Sequence, residues 1–128
     1  MLKLFKQWKK RGNIIIAVDF DDTIKPFRFQ KEKKCLKIIK LLKKCHQYGA
    51  KIIIYTASDP RRFSMMRSYC ERHGLIIESI NQNISNLPFG NNGKIFYNIL
   101  LDDRSGLTET YYRLLITFLL YKLYISQK

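Results

Sequence analysis

Apolar runs with little internal polarity alternate along this chain with stretches of helical periodicity. Ile14–Val18 is such a run, and Lys51–Tyr55 contains a second. Runs of β-branched residues are typical of strands that are buried on both faces of a parallel sheet. Two further runs, 75–80 and 95–101, predict a third and a fourth strand. Because helical segments separate the strands, we expect βαβ units, and therefore an α/β fold with a mainly parallel sheet and helices on its faces.

Three segments carry the pattern of helices. Residues 31–48 place apolar side chains on one face and lysines on the other, and Gly49 is the expected end of that helix. A second helix is predicted from Asp59, as the N-cap, to about His73. A long apolar helix is predicted over 108–126. Its apolar surface is expected either to pack against the sheet or to form the seam of a homodimer. It is too short and too interrupted to be expected to cross a membrane.

The first residues of the chain are strongly basic, with apolar side chains at helical spacing. Within residues 1–12 these apolar side chains are Leu4, Phe5 and Trp8. We expect a short helix that packs these three side chains on its own domain. The alternative is that this basic N-terminal segment contacts nucleic acid or an anionic membrane surface.

The length and the charge of the chain bound the class of protein. With 128 residues, the chain is expected to form a single domain, 1–128, around one hydrophobic core. It has 24 Lys and Arg against 10 Asp and Glu, for a formal net charge of +14. Such a charge favours polyanionic partners, namely nucleic acid, an anionic membrane surface or phosphorylated small molecules, without choosing among them.

Cysteine usage indicates a reducing compartment. Cys35, Cys45 and Cys70 are odd in number, far apart and not arranged as a C-x-x-C pair. This pattern argues against a disulfide framework and against a zinc cluster, and favours buried, reduced thiols. The apolar run at 14–18 is too short for a secretory signal and leads directly into acidic residues. A cytoplasmic protein is therefore expected.

Acidic residues are concentrated where two of the predicted strands end. Asp19, Asp21 and Asp22 follow the first strand, and Asp102 and Asp103 follow the fourth, so these positions hold five of the 10 acidic residues. The carboxyl ends of parallel strands meet at the same edge of a sheet, where functional sites of such folds lie. Carboxylates brought so close repel one another, and a divalent cation would remove that repulsion. Mg²⁺ is the expected ion, because it prefers hard oxygen ligands and bridges to phosphate.

A calcium loop of the EF-hand type is the competing interpretation of the first acidic group. Counted from Asp19, the sixth position is Ile24, where the loop requires glycine, and the twelfth is Gln30, where it requires a bidentate glutamate. The sequence therefore excludes an EF-hand.

Four short motifs resemble those of the haloacid dehalogenase-like (HAD) phosphatases. "DFDDT" at 19–23 has the D-x-D-x-T form of the first motif, and "IIIYTAS" places Thr56 at the end of the second strand. Lys94 lies in the "NGK" turn, and "ILLDDRSG" places an acidic pair, 102–103, at the end of the fourth strand. The motifs occur in the order of that family, and the resemblance covers roughly residues 13–106.

The resemblance implies a fold and a reaction. The fold is a three-layer, Rossmann-like HAD domain with about four strands in the order 3-2-1-4, helices on both faces and no cap domain. The chain lacks cap insertions and stops after the helix at 108–126, where HAD domains usually continue into a further helix and strand. The activity implied is that of a Mg²⁺-dependent phosphatase acting through an aspartyl-phosphate.

The resemblance also assigns roles to residues of this chain. Asp19 is the expected nucleophile, and Asp21 the expected general acid and base, a role that calls for a raised pKa. Mg²⁺ is expected to be held by the Asp19 carboxylate, the Asp21 backbone carbonyl and Asp102. Thr56 and Lys94 are expected to bind the transferring phosphoryl oxygens. Of the supporting residues, Asp103 is expected to orient a metal-bound water, and Asp22 and Thr23 are expected to shape the turn. Apart from the resemblance, Arg104 lies beside the acidic pair and is expected either to reach a substrate phosphate or to pair with Asp103.

The substrate is constrained only by shape and charge. A site without a cap is open to bulky substrates, and a basic surface suits polyanions, so a nucleotide or a terminal phosphate on a nucleic acid is expected first. A phosphorylated sugar or protein remains an alternative, and so does a HAD-like module that binds phosphate or nucleic acid without catalysis. Arg61 and Arg62 follow the second strand and are expected near the mouth of the site, with no role assigned.

Overall fold

The computed structural model describes residues 2–85, 94–104 and 106–128. The chain begins with helix α1, and each strand after it leads into a helix or a loop. In chain order the elements are α1 (Leu2–Arg11), β1 (Ile15–Val18), α2 (Glu32–Gln47), β2 (Lys51–Ile54), a 3₁₀ turn (Pro60–Arg62) that continues into α3 (Phe63–Arg72), β3 (Ser79–Ile80), β4 (Ile99–Leu101) and α4 (Leu107–Ser126).

The four strands form one sheet in which every pairing is parallel. The order is β3-β2-β1-β4. In the centre, Val18 of β1 pairs with Ile54 of β2 on one side and with Leu101 of β4 on the other. The predicted α/β class and the strand order 3-2-1-4 are therefore confirmed, and the described residues contain no cap domain. This register aligns the carboxyl ends of β1, β2 and β4 at one edge of the sheet.

The two faces of the sheet are covered by different structures. Ile16 and Val18 face the main core, to which all four helices contribute buried side chains. Among these helix residues are Leu4, Trp8, Ile38, Leu42, Met66, Cys70, Leu114 and Phe118. Ile15 and Ala17 face the other way. Within the described residues that second face is packed by loop side chains, including Ile84, Phe96 and Tyr97, where the sequence predicted helices on both faces.

The outer strands are shorter than the apolar runs that predicted them. The predicted strand 75–80 pairs only at Ser79–Ile80, and the predicted strand 95–101 only at Ile99–Leu101. Both strands lie at an edge of the sheet, so each has one neighbour, and the apolar residues outside the ladder pack from loops instead. The predicted loop at 81–93 extends beyond the described residues from position 86 onward.

The basic N-terminal segment forms α1, which packs on α4 as part of the domain. Trp8 is fully buried and stacks on Tyr121 with ring centroids 4.5 Å apart, and its indole Nε1–H donates to the Tyr48 carbonyl at 3.2 Å. The predicted packing of this segment on its own domain is confirmed. Gly49, which ends α2, has φ +97°, and a Cβ there would lie 2.5 Å from the Gly12 carbonyl oxygen, so this close approach requires glycine.

No helix in the described part of the chain is both long enough and apolar enough to span a bilayer. The three cysteines are buried free thiols, as predicted. Burial raises the pKa of Cys45 to about 12, and burial first of all raises that of Cys70 and of Cys35 to about 11 each. These thiols are therefore protonated and serve as core side chains.

Candidate active site

Asp19 and the acidic pair of β4 meet where their two strands end. The Asp19 N–H donates to the Leu101 carbonyl at 2.9 Å, which continues the pairing of β1 with β4 by one residue. As a result Asp19 lies beside Asp102 and Asp103, and one carboxylate oxygen from each of the three lies within 4.8 Å of the others. All three side chains are half-buried. Within the described residues, this is the group of acidic side chains that can hold a metal ion.

The electrostatics of this triad favour a cation. Burial raises the pKa of Asp19 first, and a hydrogen bond with Asp103 and the charge of Asp102 raise it further, to about 7. The Phe20 N–H acts in the opposite direction. Without a cation, therefore, ionising all three carboxylates is costly. The oxygen-only ligand set, half-buried and open to a pocket, fits the preferences of Mg²⁺.

Asp22 is separated from this chemistry by its environment. Its side chain is buried, and its Oδ1 accepts hydrogen bonds from four successive backbone N–H groups, those of residues 27–30, at 2.8–3.2 Å. Burial would raise the pKa of Asp22, but these N–H groups together lower it. The residue adopts φ 60°, in the left-handed region, which closes the turn after β1. Asp22 therefore shapes the turn after β1, and its ionised carboxylate organises the segment 25–30, here called the flap.

Asp21 is paired with an arginine. Arg62 donates from Nη1 to Asp21 Oδ2 at 2.7 Å and from Nη2 to Oδ1 at 2.9 Å, which is a bidentate ion pair. Ser58 Oγ lies 3.4 Å from the same carboxylate and 2.6 Å from Arg62 Nη1. The predicted crowding of Asp21 by other carboxylates is thus replaced by contact with a cation. The carboxylate of Asp21 does not belong to the metal-competent triad of the described chain.

Thr56 is held by a residue that the sequence analysis missed. The Asn81 side chain accepts from the Thr56 N–H at 2.8 Å and donates to the Thr56 carbonyl at 2.7 Å. Thr56 is buried, and its hydroxyl oxygen accepts from the Ser58 N–H at 3.1 Å. Asn81 follows β3 with φ 54°, a conformation that asparagine tolerates well. An asparagine directly after a strand was the available signal, but the sequence does not show which strand end it would reach.

An open pocket of about 410 Å³ lies above the triad, with an acidic floor and a mixed rim. Asp19, Asp102 and Asp103 form the floor, and Thr56 lies on a wall beside it. The rim consists of exposed arginines and exposed aromatic residues. Its members are Phe27, Arg28, Phe29, Tyr55 and Arg104. Arg104 is therefore at the pocket, as expected, and its N–H donates to Asp102 Oδ1 at 3.0 Å.

Two predicted site residues lie elsewhere. Lys94 is exposed, its carbonyl accepts from Asn83 Nδ2 at 2.7 Å, and it does not belong to the described lining of the pocket. The residues that precede it, 86–93, lie outside the described part of the chain. Thr23 is fully buried, and within the described structure its hydroxyl has no hydrogen-bond partner. Thr23 is thus closed off from solvent and does not belong to the described lining of the pocket.

Comparison with known proteins supports the fold and goes no further. The chain matches no protein-family model and no curated protein. It is similar to a solved structure of a conserved protein from Bacteroides thetaiotaomicron, with 21% sequence identity and a TM-score of 0.61. The match covers 91% of this chain and 93% of that one, so the two proteins share their fold over nearly their whole lengths.

Proposed function

We propose that this protein is a Mg²⁺-dependent phosphomonoester hydrolase of the HAD type that uses Asp19 as its nucleophile. The carrying observation is the triad of Asp19, Asp102 and Asp103, whose carboxylate oxygens lie within 4.8 Å of one another at the floor of an open pocket. Arg28 and Arg104 line the same pocket and provide positive charge for a phosphate above the acidic floor.

In the proposed reaction an oxygen of Asp19 attacks the phosphorus of the substrate, and the bond between phosphorus and the ester oxygen breaks. The departing oxygen takes a proton from Asp21, which leaves an aspartyl-phosphate. Water, oriented by Asp103, then attacks phosphorus and gives a proton to Asp21. The bond between phosphorus and the Asp19 oxygen breaks, which releases inorganic phosphate and regenerates Asp19. Bound Mg²⁺ supplies positive charge to the transferring phosphoryl group. The Asp19 and Asp102 carboxylates and the Asp21 backbone carbonyl are the groups to hold it.

The ion pair between Arg62 and Asp21 is proposed to be the resting state of the site, before substrate binds. Asp21 can protonate a leaving group only after its carboxylate separates from the guanidinium of Arg62, which occupies both of its oxygens, and takes up a proton from solvent. A substrate phosphate offers Arg62 another anion of suitable geometry. Thr56, beside the triad, is the proposed hydroxyl ligand of the phosphoryl oxygens, and Lys94 is proposed to join it when substrate is bound.

The proposed substrate is a nucleotide or a terminal phosphate of a nucleic acid. The net charge of +14 and the arginines at the rim favour a substrate with more than one negative group. The open pocket leaves room for the remainder of such a molecule above the reacting phosphate.

The bidentate contact of Arg62 with Asp21 also favours one alternative, a binding module without catalysis. If the pair does not open, Asp21 provides no proton, and the pocket then binds phosphate through the metal and the arginines alone. The test of catalysis below distinguishes the two functions.

Two further features of the chain support proposals on partners and location. Ile116, Leu119 and Leu123 are exposed on α4 at the spacing of a coiled-coil seam, so we infer a homodimer in which α4 pairs with its copy. The buried, reduced cysteines support a reducing compartment, and we infer the cytoplasm.

The proposed activity is tested with para-nitrophenyl phosphate. Hydrolysis is expected with Mg²⁺, and both EDTA and Asp19→Asn are expected to lower the rate by about 1,000-fold or more, because each removes an obligatory group. Glu71→Gln, on the exposed face of α3, removes one acidic charge elsewhere and is the matched control, with an unchanged rate. Turnover that persists in EDTA, or an Asp19→Asn variant as active as the control, contradicts the proposal.

The melting temperature provides a second readout that does not depend on turnover. The pKa of Asp19 is about 7 in the folded protein against an ordinary 3.8, so the metal-free protein loses stability as pH rises through this range. At neutral pH Asp19→Asn is therefore expected to melt higher than the wild type without metal. Mg²⁺ is expected to raise the melting temperature of the wild type and of Glu71→Gln, but not that of Asp19→Asn.

A further inference from the structure

A second cavity, of about 370 Å³, lies between the start of α2 and the start of α4 and is lined by lysines. Lys31, Lys33, Lys34 and Lys37 contribute to its wall, together with Ile38 and the side chains of α4. The α4 residues are Thr108, Tyr111 and Tyr112. The sequence did not indicate this cavity, here called the lysine pocket, because its pattern placed these lysines on the solvent-exposed face of a helix.

The positive charge of the lysine pocket is not neutralised within the described structure. No acidic side chain lines the pocket, and none of its four lysines takes part in a salt bridge of the described chain. Lys34 Nζ donates to Thr108 Oγ1 at 3.2 Å, and Lys37 Nζ lies 5.1 Å from the centre of the Tyr111 ring and 5.5 Å from that of Tyr112. Four ammonium groups around one concave surface, none of them in a salt bridge of the described chain, attract a polyanion.

The lysine pocket adjoins the pocket of the triad through the flap. Phe29 lines the first pocket and Gln30 the second, so adjacent residues of one chain segment border both. Asp22 holds the two residues in place by accepting from their backbone N–H groups. A ligand that leaves the triad can therefore pass over the flap and reach the lysines.

The flap itself presents aromatic surface along that path. The Phe29 side chain is 85% exposed and that of Phe27 is 54% exposed, although both rings are large and apolar. Arg28 lies over the Phe27 ring at 5.3 Å and adds a cation beside it. Exposed rings interleaved with cations are the means by which proteins stack the bases and track the backbone of single-stranded nucleic acid.

We propose that the lysine pocket binds the backbone of a single-stranded nucleic acid whose terminal phosphate occupies the pocket above Asp19. Bases next to that phosphate stack on Phe29 and Phe27, and the following phosphates contact the lysines at the start of α2. The inference deepens the proposed function and rests on it for the reaction at the terminal phosphate, but not for the binding of the strand.

Binding of the strand is measured by fluorescence anisotropy in EDTA, with a labelled single-stranded oligodeoxynucleotide that carries no terminal phosphate, so that neither turnover nor a phosphate bound above Asp19 contributes. The triple variant K31Q/K33Q/K37Q removes three charges at the lysine pocket. The matched control, K40Q/K43Q/K44Q, removes three exposed charges from the same helix, at a surface that includes no flap residue. Circular dichroism verifies that both variants are folded.

At about 0.1 M salt the pocket variant is expected to bind at least 10-fold more weakly than the wild type, and the control less than about 3-fold more weakly. The slope of log K against log salt is expected to fall by about 2 for the pocket variant, at about 0.7 per lost phosphate contact. Equal weakening by the two triple variants overturns the proposal, because it shows attraction by net charge alone.

The stacking part is tested with Phe29→Ala, whose exposed ring can be removed without affecting the core. This variant is expected to bind the oligonucleotide at least about 5-fold more weakly than the wild type does. It is expected to bind inorganic polyphosphate, which has no bases, as tightly as the wild type does. Equal losses for both ligands, or a duplex bound as tightly as the single strand, contradict the stacking proposal.

The two proposals can fail separately. If no hydrolysis is observed but only the pocket variant loses binding, the proposed phosphatase activity is wrong and the proposed strand-binding site is supported.

Discussion

At the scale of single residues, neighbouring aspartates of one motif have opposite chemistry because their surroundings differ. Burial and two nearby carboxylates raise the pKa of Asp19 to about 7. Asp22, three positions on, is more deeply buried, yet backbone N–H groups lower its pKa. The first residue therefore calls for a cation, and the second already has its partners in the chain. Within "DFDDT", Asp19 therefore belongs to the candidate metal site, whereas Asp22 holds the turn in place.

Asp22→Asn is expected to destabilise the folded protein by about 1–3 kcal/mol near neutral pH, because an amide replaces the carboxylate that accepts from residues 27–30. A lowered pKa in the folded state means that the carboxylate stabilises at pH values above about 4 and loses this effect as pH falls further. Urea unfolding of the variant and the wild type measures the difference, which should narrow as pH is lowered through about 4. A difference that does not change with pH contradicts this account, and Glu71→Gln is the control.

At the scale of elements, α1 and α4 form one packed pair although they come from opposite ends of the chain. Trp8 lies between Tyr121, on which it stacks, and Phe118, whose ring centre is 6.5 Å away. On the outside of this pair, Lys9 lies 5.0 Å from the Phe5 ring centre and 5.1 Å from that of Tyr124. The basic segment is thus anchored by its apolar side, and its lysines remain at the surface.

Trp8→Ala is expected to lower the free energy of unfolding by about 3–5 kcal/mol, the usual cost of removing a large, fully buried aromatic side chain. Trp8→Phe should cost less, since it keeps a ring against Tyr121 and loses mainly the hydrogen bond to the Tyr48 carbonyl. Leu2→Ala, at a position that is 65% exposed on the same helix, should change stability by less than about 0.5 kcal/mol. Unfolding is followed by circular dichroism, because Trp8 is the single tryptophan of the chain. A Trp8→Ala variant as stable as Leu2→Ala would show that α1 is not part of the core.

At the scale of the whole molecule, a high positive charge coexists with an acidic pocket and an exposed apolar stripe. A charge of +14 attracts polyanions, whereas the acidic floor repels an anion unless a cation lies between them. The stripe of Ile116, Leu119 and Leu123 lies on the side of α4 that does not face the core. Pairing of two copies must overcome the repulsion of their like charges, which salt screens.

The wild type is therefore expected to have twice the mass of the chain in sedimentation or light-scattering measurements at moderate salt. The double variant L119Q/L123Q, which removes apolar surface without changing charge, is expected to be monomeric. Ile76→Gln, at a position 59% exposed outside α4, is the control and should remain dimeric. A wild type that stays monomeric at the highest concentration tested rules out the seam on α4.

The arrangement of strands and helices, and the meeting of the acidic groups, are predictable from the sequence alone. Apolar runs and helical periodicity report burial and local backbone geometry, so all four strands and the major helices were placed within a few residues, apart from the shortened edge strands. Parallel strands put their carboxyl ends at one edge, which is sufficient to bring Asp19 toward Asp102 and Asp103. Even the structural role of Asp22 could be anticipated from its motif.

Tertiary structure alone decides which side chains from distant segments meet. The sequence places Arg62 near the pocket, but only the path of the chain after β2 brings its guanidinium onto Asp21. Asn81 reaches Thr56 because β3 lies beside β2. The lysine pocket exists because α4 starts beside the start of α2. The pattern of residue types along a chain indicates which residues are buried. Whether two distant side chains are in contact depends on distances that the loops and the packing set.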